Sequence, residues 1–163
     1  GKYFELTWSE VRYRARGVTA CDFDRDGDLD IVVGHSTARC DEDCYSPAHP
    51  RLFENLTNDA SSANWLQLKL VADGTTANTA AIGARVEVTS GGLTQVQEVL
   101  GGHGQWGSQD PLELHFGLGA GCDAEVTVRW PDAAQTLQTF TVHPNARYLL
   151  VMGAPEAAPA PVR

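Results

Sequence analysis

Basic residues are too few in this chain to form a nucleic-acid binding surface. The 12 lysines and arginines are outnumbered by 21 aspartates and glutamates, so the formal net charge is −9, whereas a phosphate backbone attracts the opposite sign. Long apolar runs are also lacking, and none could cross a bilayer as a helix. We therefore expect neither nucleic acid nor membrane insertion. The sequence begins at Gly1 without a methionine or a leader, so we expect a processed or excised piece of a longer protein.

Cysteine is scarce too, with four residues in the 163: Cys21, Cys40, Cys44 and Cys122. Cys40 and Cys44 could be half of a zinc site, but no second closely spaced pair follows them, and a small disulfide loop is the better match. The even count favours an extracellular, cell-surface or periplasmic setting, where disulfides persist. Bridges between Cys40 and Cys44 and between Cys21 and Cys122 are our hypothesis, one of the connectivities that an even set of cysteines allows.

Motifs that mark catalytic sites are missing from the sequence. The five histidines are scattered, without a spacing typical of a transition-metal site, and Gly-x-Ser-x-Gly does not occur. A glycosidase requires two carboxylates at a fixed separation around a cleft, which no sequence spacing establishes. We therefore predict that the protein is not an enzyme. An accessory domain of a polysaccharide-active hydrolase, or a glycan-binding module, is the alternative.

Aspartate, by contrast, is concentrated in one short stretch. Five aspartates occupy alternate positions around Gly27: Asp22, Asp24, Asp26, Asp28 and Asp30. So many neighbouring carboxylates repel one another unless a cation lies among them. Ca²⁺ is suitable, because it takes about six to eight oxygen ligands. In such a loop the first, third and fifth positions turn inward, Gly27 permits the sharp bend, Asp28 offers its backbone carbonyl and Asp30 completes the shell.

The residues around this loop depart from the EF-hand pattern. The twelfth position is Val33 and not the bidentate glutamate that an EF-hand requires. Residues 17–21 and 29–33 are rich in β-branched side chains, so we predict a strand on each side. The prediction is a strand-flanked Ca²⁺ loop, with a solvated acidic turn as the alternative.

Alternation of apolar and polar residues characterises the second part of the chain. Leu66, Leu68 and Leu70 alternate with polar residues, and a similar pattern recurs in further stretches up to Met152. A period of two means one buried and one exposed face in each strand. About seven such strands, glycine-rich turns and no helical period predict an all-β protein, an antiparallel sandwich or barrel.

Composition changes divide the chain into three segments. A polar stretch of small residues at 58–63 is typical of a connection. The last residues are rich in proline and alanine, and we expect them to be extended and disordered. We assign residues 1–60 to the Ca²⁺-binding segment, 61–152 to the β domain and 153–163 to the tail.

Two parts of the sequence resemble known families. The Asp22–Asp30 stretch followed by Ile31-Val32-Val33 resembles the Ca²⁺ loop of FG-GAP/VCBS repeats, the blades of integrin-type β-propellers. Later stretches resemble the ASPIC/UnbV domain of cartilage acidic proteins and bacterial secreted relatives: residues 64–70, 81–86, 101–104, 108–109, 114–119 and 128–132. Because only one Asp loop is present, the first segment resembles part of a β-propeller blade that precedes the sandwich.

This resemblance implies a secreted, calcium-stabilised, non-catalytic binding or adhesion module. It also implies that a longer parent chain carries propeller repeats upstream, and that the ligand is an extracellular protein or a glycan. One departure concerns the family's usual Gly-Tyr-Leu-Ser-Gln, which here reads Gln105-Trp106-Gly107-Ser108-Gln109. Asn55-Leu56-Thr57 is a glycosylation sequon if the host has a eukaryotic secretory pathway.

The glycine-rich segment 101–111 is the candidate ligand site. It places an aromatic ring among amide, hydroxyl and imidazole groups, a chemistry typical of sugar or peptide contacts: His103, Gln105, Trp106, Ser108 and Gln109. The alternative is that Trp106 caps the core of the sandwich while the glycines make tight turns. Asp110 could pair with His103 in the same loop.

Overall fold

The computed structural model describes residues 15–35, 50–56, 63–102 and 108–160. These ranges contain eleven strands, so the predicted all-β class is confirmed. Within them we find no helix long and apolar enough to cross a membrane. Two compact units divide the chain: Gly1–Ser61 with Gly102–Asp110, and Ser62–Gly101 with Pro111–Arg163. The first unit therefore includes a piece of chain that a linear division near residue 60 would assign to the second.

The first unit contains a three-stranded sheet with the strands in the order β1-β2-β3. These strands are β1 (Ala15–Cys21), β2 (Asp30–His35) and β3 (Arg51–Phe53), and their pairings are antiparallel. Cys21 at the end of β1 pairs with Asp30 at the start of β2. The acidic stretch is thus the connection of a hairpin, and the strands predicted on both sides of it are confirmed.

The second unit contains two four-stranded sheets, in the orders β11-β10-β4-β7 and β6-β5-β8-β9. The strands are β4 (Asn64–Val71), β5 (Arg85–Ser90), β6 (Leu93–Glu98), β7 (Glu113–Gly119), β8 (Ala124–Arg129), β9 (Leu137–Val142), β10 (Ala146–Val151) and β11 (Ala158–Pro159). Seven of them are the strands expected from the alternation. The pairing of β4 with β10 is parallel, whereas the sequence predicted antiparallel neighbours throughout. These strands are distant in sequence, so the chain between them provides the long connection that a parallel pair needs.

The core of the second unit is built from the apolar positions of the alternating strands. Leu66 and Leu68 on β4, Phe116 on β7 and Val128 on β8 are completely buried. Trp130, directly after β8, is the largest buried side chain, and its indole Nε1 donates a hydrogen bond to Gln138 Oε1 at 3.0 Å. Full burial of one such aliphatic or aromatic side chain stabilises the fold by about 1.5–3 kcal/mol. The core therefore follows directly from the period of two.

Two glutamines connect the sheets of the second unit. The side-chain amide of Gln95 donates to the carbonyl of Gly117, and that of Gln97 donates to the carbonyl of His115, each at 2.6 Å. Both glutamines lie on β6, an edge strand of one sheet, and both carbonyls lie on β7, an edge strand of the other. Side chains thus join two edges that share no backbone ladder.

The proline- and alanine-rich segment differs from its prediction. Ala158 and Pro159 form β11, which pairs with β10, and the amide of Ala160 donates to the carbonyl of Arg147 at 2.9 Å. The expectation of a disordered tail is therefore wrong up to residue 160. Pro159 has no N–H, so it is suited to the outermost strand of a sheet, where no further ladder continues.

Candidate metal centre

Asp30 anchors the acidic hairpin connection. Its side chain is 1% exposed, and each of its carboxylate oxygens accepts a backbone hydrogen bond. Oδ2 accepts from the amide of Phe23 at 2.8 Å, and Oδ1 accepts from the amide of Asn55 at 2.8 Å. These bonds compensate for burying the carboxylate. Asp30 thereby ties the start of the loop to the segment that follows β3.

The backbone of the loop is curled by two residues with positive φ. Gly27 has φ 99° and Arg25 has φ 69°. The amide of Asp26 donates to Asp24 Oδ1 at 3.2 Å, and the amide of Asp28 donates to Asp26 Oδ1 at 2.9 Å, so successive aspartates close local turns. The bend predicted at Gly27 is confirmed. The left-handed conformation of Arg25 was not predicted, because arginine has no preference for it.

Three of the five predicted ligands converge. Asp22, Asp24 and Asp30 each place one carboxylate oxygen within 4.8 Å of the others. Asp26 and Asp28 are not among the carboxylates grouped in this way, and their ligand roles stay a prediction. One oxygen of Asp22 and one of Asp28 are closed off from solvent.

The chemistry of this donor set suits a hard divalent cation. Carboxylate oxygens are preferred ligands of Ca²⁺, and each oxygen has two lone pairs, so Asp30 can accept its backbone hydrogen bonds and still contact a cation. Three negative charges this close together favour a positive ion between them. Asp22, Asp24 and Asp30 could therefore hold a metal ion between their carboxylates.

The surroundings of the neighbouring Cys21 disfavour its thiolate form. Burial raises the pKa of the Cys21 thiol, and the negative charges of Asp30, Asp22 and Asp110 raise it further. Metal binding and nucleophilic attack both need the thiolate, which this environment disfavours.

The predicted bridge between Cys21 and Cys122 is not formed. Both thiols are free. Cys21 ends β1 in the first unit, whereas Cys122 lies in the turn between β7 and β8 of the second, where its thiol is directed to the carbonyl of Ala120 at 3.7 Å. Cys40 and Cys44 lie outside the described residues, so their pairing stays a hypothesis.

A family model described as ASPIC and UnbV matches residues 74–157, more than half of the 163 residues. The chain belongs to the ASPIC and UnbV family. The match includes β5 to β10 of the second unit, whereas the Asp loop precedes it. Among curated proteins, no match was found. The predicted resemblance to the ASPIC/UnbV domain is thus confirmed, and the resemblance of the Asp loop to FG-GAP/VCBS repeats stays a prediction.

The candidate ligand segment of this ASPIC and UnbV protein is described only in part. Ser108 is half-buried and Gln109 is exposed, while His103, Gln105 and Trp106 lie outside the described residues. The carbonyl of Gln109 accepts a hydrogen bond from Thr19 Oγ1 at 3.3 Å. A Cβ atom added at Gly17 would approach Ser108 Oγ to 2.9 Å. The described end of the segment therefore lies against β1.

Sequence reasoning missed two contacts that hold the Asp loop. Asp110 bonds to Thr19 and Ala20, while the pairing suggested with His103 stays a prediction because His103 lies outside the described residues. Asn55 supplies the amide that anchors Asp30, and its side-chain Nδ2 donates to the carbonyl of Leu29 at 3.3 Å. These partners are 25 or more residues apart in sequence, and no local pattern could have indicated them.

The carboxylate of Asp73, in the second unit, accepts hydrogen bonds within its own turn. A shallow groove of about 520 Å³ is lined in part by Asp73, Thr136, Gln138 and Met152. The hydroxyl of Thr76 holds the pKa of Asp73 well below its usual range, and the amides of Thr75 and Ala77 add to the effect. Because these groups occupy the carboxylate, Asp73 stabilises its own turn and is a poor proton donor at neutral pH.

Proposed function

We propose that this ASPIC and UnbV protein is a secreted, Ca²⁺-stabilised, non-catalytic binding module whose Asp22–Asp30 loop is of the FG-GAP/VCBS type. One observation carries the proposal: a hairpin connection brings three carboxylates within 4.8 Å of one another. The buried anchor Asp30 supports it, because a loop that is fixed before the ion arrives loses less entropy on binding.

Calcium would act through linkage. An ion that binds the folded loop and not the unfolded chain stabilises the fold by about 2.7 kcal/mol at a hundredfold excess over its dissociation constant. Asp22, Asp24 and Asp30 would hold the ion, which would neutralise part of their mutual repulsion. An extracellular setting suits such a site, because weak Ca²⁺ sites are filled there.

Thermal unfolding in Ca²⁺ and in EGTA tests this proposal. We expect Ca²⁺ to raise the midpoint of the wild type, and Asp24→Asn to remove most of that increase. Asparagine keeps the Oδ1 acceptor for the amide of Asp26, so the loss would report the missing charge and not a broken turn. Asp123→Asn is the matched control, since it removes one exposed carboxylate from a turn of the second unit. Equal midpoints of the wild type in Ca²⁺ and EGTA would contradict the assignment.

The proposed binding role rests on the polar and aromatic residues of segment 101–111. Its ligand would be an extracellular protein or a glycan. A glycan array with the Ca²⁺-loaded wild type separates the two: reproducible binding to defined glycans supports the glycan, whereas binding to none favours a protein partner. Ser108→Ala and Gln109→Ala test whether the segment contributes to that binding.

A further inference from the structure

Asp110 bonds to the strand that leads into the Asp loop. Its Oδ1 accepts a hydrogen bond from Thr19 Oγ1 at 2.6 Å and one from the amide of Ala20 at 3.3 Å. The neighbouring carbonyl of Gln109 lies 3.3 Å from the same Thr19 Oγ1, so the two acceptors share its one hydroxyl proton. β1 is an edge strand of its sheet, so residues 108–110 supply acceptors to an edge that has no further strand in the described residues.

The close fit at Gly17 extends this contact along β1. A side chain at Gly17 would bring its Cβ within 2.9 Å of Ser108 Oγ, closer than real Cβ atoms come to a neighbour. Contacts at Gly17, Thr19 and Ala20 therefore cover successive parts of the same strand. Asp22, the first carboxylate of the loop, follows Ala20 by two residues.

The charge of Asp110 lies close to the charges of the loop. Asp110 accepts the amide of Ala20, which lies two residues before Asp22, the first carboxylate of the loop. Like charges at short range disfavour one another, so the contact between Asp110 and β1 forms against the negative field of the loop. A cation held by the loop would reduce that field.

We propose that Asp110 couples the Asp loop to residues 108–110, so that a divalent cation in the loop tightens this segment against β1 and Asp110 in turn strengthens cation binding. This inference rests on the proposed Ca²⁺ site. The effect of the cation on the contact and the effect of the contact on cation binding arise from one coupling free energy. They must therefore have the same magnitude at equilibrium. Asp110 is a positioning residue here, since it acts on the ligands through β1.

Hydrogen exchange on the full chain tests the coupling, with Ca²⁺ as the probe and EGTA as the reference state. The reporters are the amide of Ala20, which donates to Asp110, and the amides of residues 108–110. We expect Ca²⁺ to slow their exchange severalfold in the wild type. Asp110→Asn keeps an oxygen acceptor and removes the charge, whereas Thr19→Val removes the hydroxyl and keeps a β-branched side chain.

Calorimetric titration of the same variants with Ca²⁺ measures the effect of the contact on the affinity for Ca²⁺. We expect Asp110→Asn to weaken Ca²⁺ binding about two- to fivefold, the range for an exposed charge pair. The extra protection that Ca²⁺ gives the amide of Ala20, relative to EGTA, should fall by the same factor. Thr19→Val should reduce both in the same direction, and it keeps the test decisive if Asp110→Asn fails to fold. Asp123→Asn is the control and should change neither.

The possible failures are distinguishable. If Ca²⁺ raises the thermal midpoint of the wild type but leaves exchange at residues 108–110 unchanged, the coupling is wrong and the Ca²⁺ site stands. If Asp110→Asn and Thr19→Val both bind Ca²⁺ as the wild type does, the coupling is wrong as well. If the wild type binds no Ca²⁺, both the proposed function and the coupling are overturned.

Discussion

Replacement of Asp30 separates the structural role of the Asp loop from its proposed role in binding a cation. Asp30 is 1% exposed and accepts the amides of Phe23 and Asn55, each at 2.8 Å. In Asp30→Ala both amides lose their acceptor. Both hydrogen bonds are partly buried, and a hydrogen bond to a charged group contributes about 1.5–3 kcal/mol, so we expect the free energy of unfolding to fall by about 3–6 kcal/mol. This loss should occur in EGTA, where no cation contributes.

Two further variants calibrate this prediction. Asp30→Asn keeps one acceptor oxygen but turns an N–H group toward the other amide, so it should cost about half as much as Asp30→Ala. Asp24→Asn keeps the acceptor for Asp26, and Asp24 is exposed, so its cost in EGTA should stay within about 0.5 kcal/mol. All three variants should lose most of the response to Ca²⁺.

Urea unfolding in EGTA, combined with hydrogen exchange at the amides of β1 and β2, measures these differences. Exchange is needed because the two compact units can unfold separately, and a single global transition would then mix them. The reasoning is refuted if Asp30→Ala in EGTA is as stable as Asp24→Asn. In that case the hydrogen bonds of Asp30 would contribute little.

Two more predictions concern a bend and a turn. Gly27→Ala places a Cβ at φ 99°, so we expect it to lose about 1–2 kcal/mol in EGTA melts and to bind Ca²⁺ more weakly. A midpoint equal to that of the wild type would contradict this. The lowered pKa of Asp73 means that its contribution to stability is present above its ordinary value of 3.8 and is lost as the pH falls through the lower folded value. Asp73→Asn should therefore show a shallower loss of stability than the wild type in acid unfolding below that pH, and parallel curves would count against it.

Much of the second unit could be predicted from sequence because its core follows local periodicity. Leu66 and Leu68 on β4, and Val126 and Val128 on β8, alternate with polar residues, and the structure buries the apolar members. The period specifies which face of a strand is buried but not which strand lies beside it. The parallel pairing of β4 with β10 could therefore not be predicted from the alternation of apolar and polar residues.

The acidic loop shows the same limit. The position of Gly27 and the alternation of aspartates predicted a curled connection between strands, and the structure has one. The positive φ of Arg25 could not be predicted, since it depends on how the surrounding loop closes. The amide of Asn55 and the carboxylate of Asp110 reach the loop from elsewhere in the sequence. The candidate ligands were therefore visible in the sequence, and the groups that position them were not.

The origin of Asp110 bears on how this ASPIC and UnbV protein is organised. The family match spans residues 74–157 without interruption, yet residues 102–110 within it belong to the first compact unit, together with the Asp loop. A fragment that ends near residue 60 would leave Thr19 and Ala20 without the acceptor that Asp110 provides. A fragment that begins there would leave Asp110 without its donors. The donors and the acceptor of this contact thus come from two distant parts of the sequence. Fragments divided near residue 60 would each lack one of them.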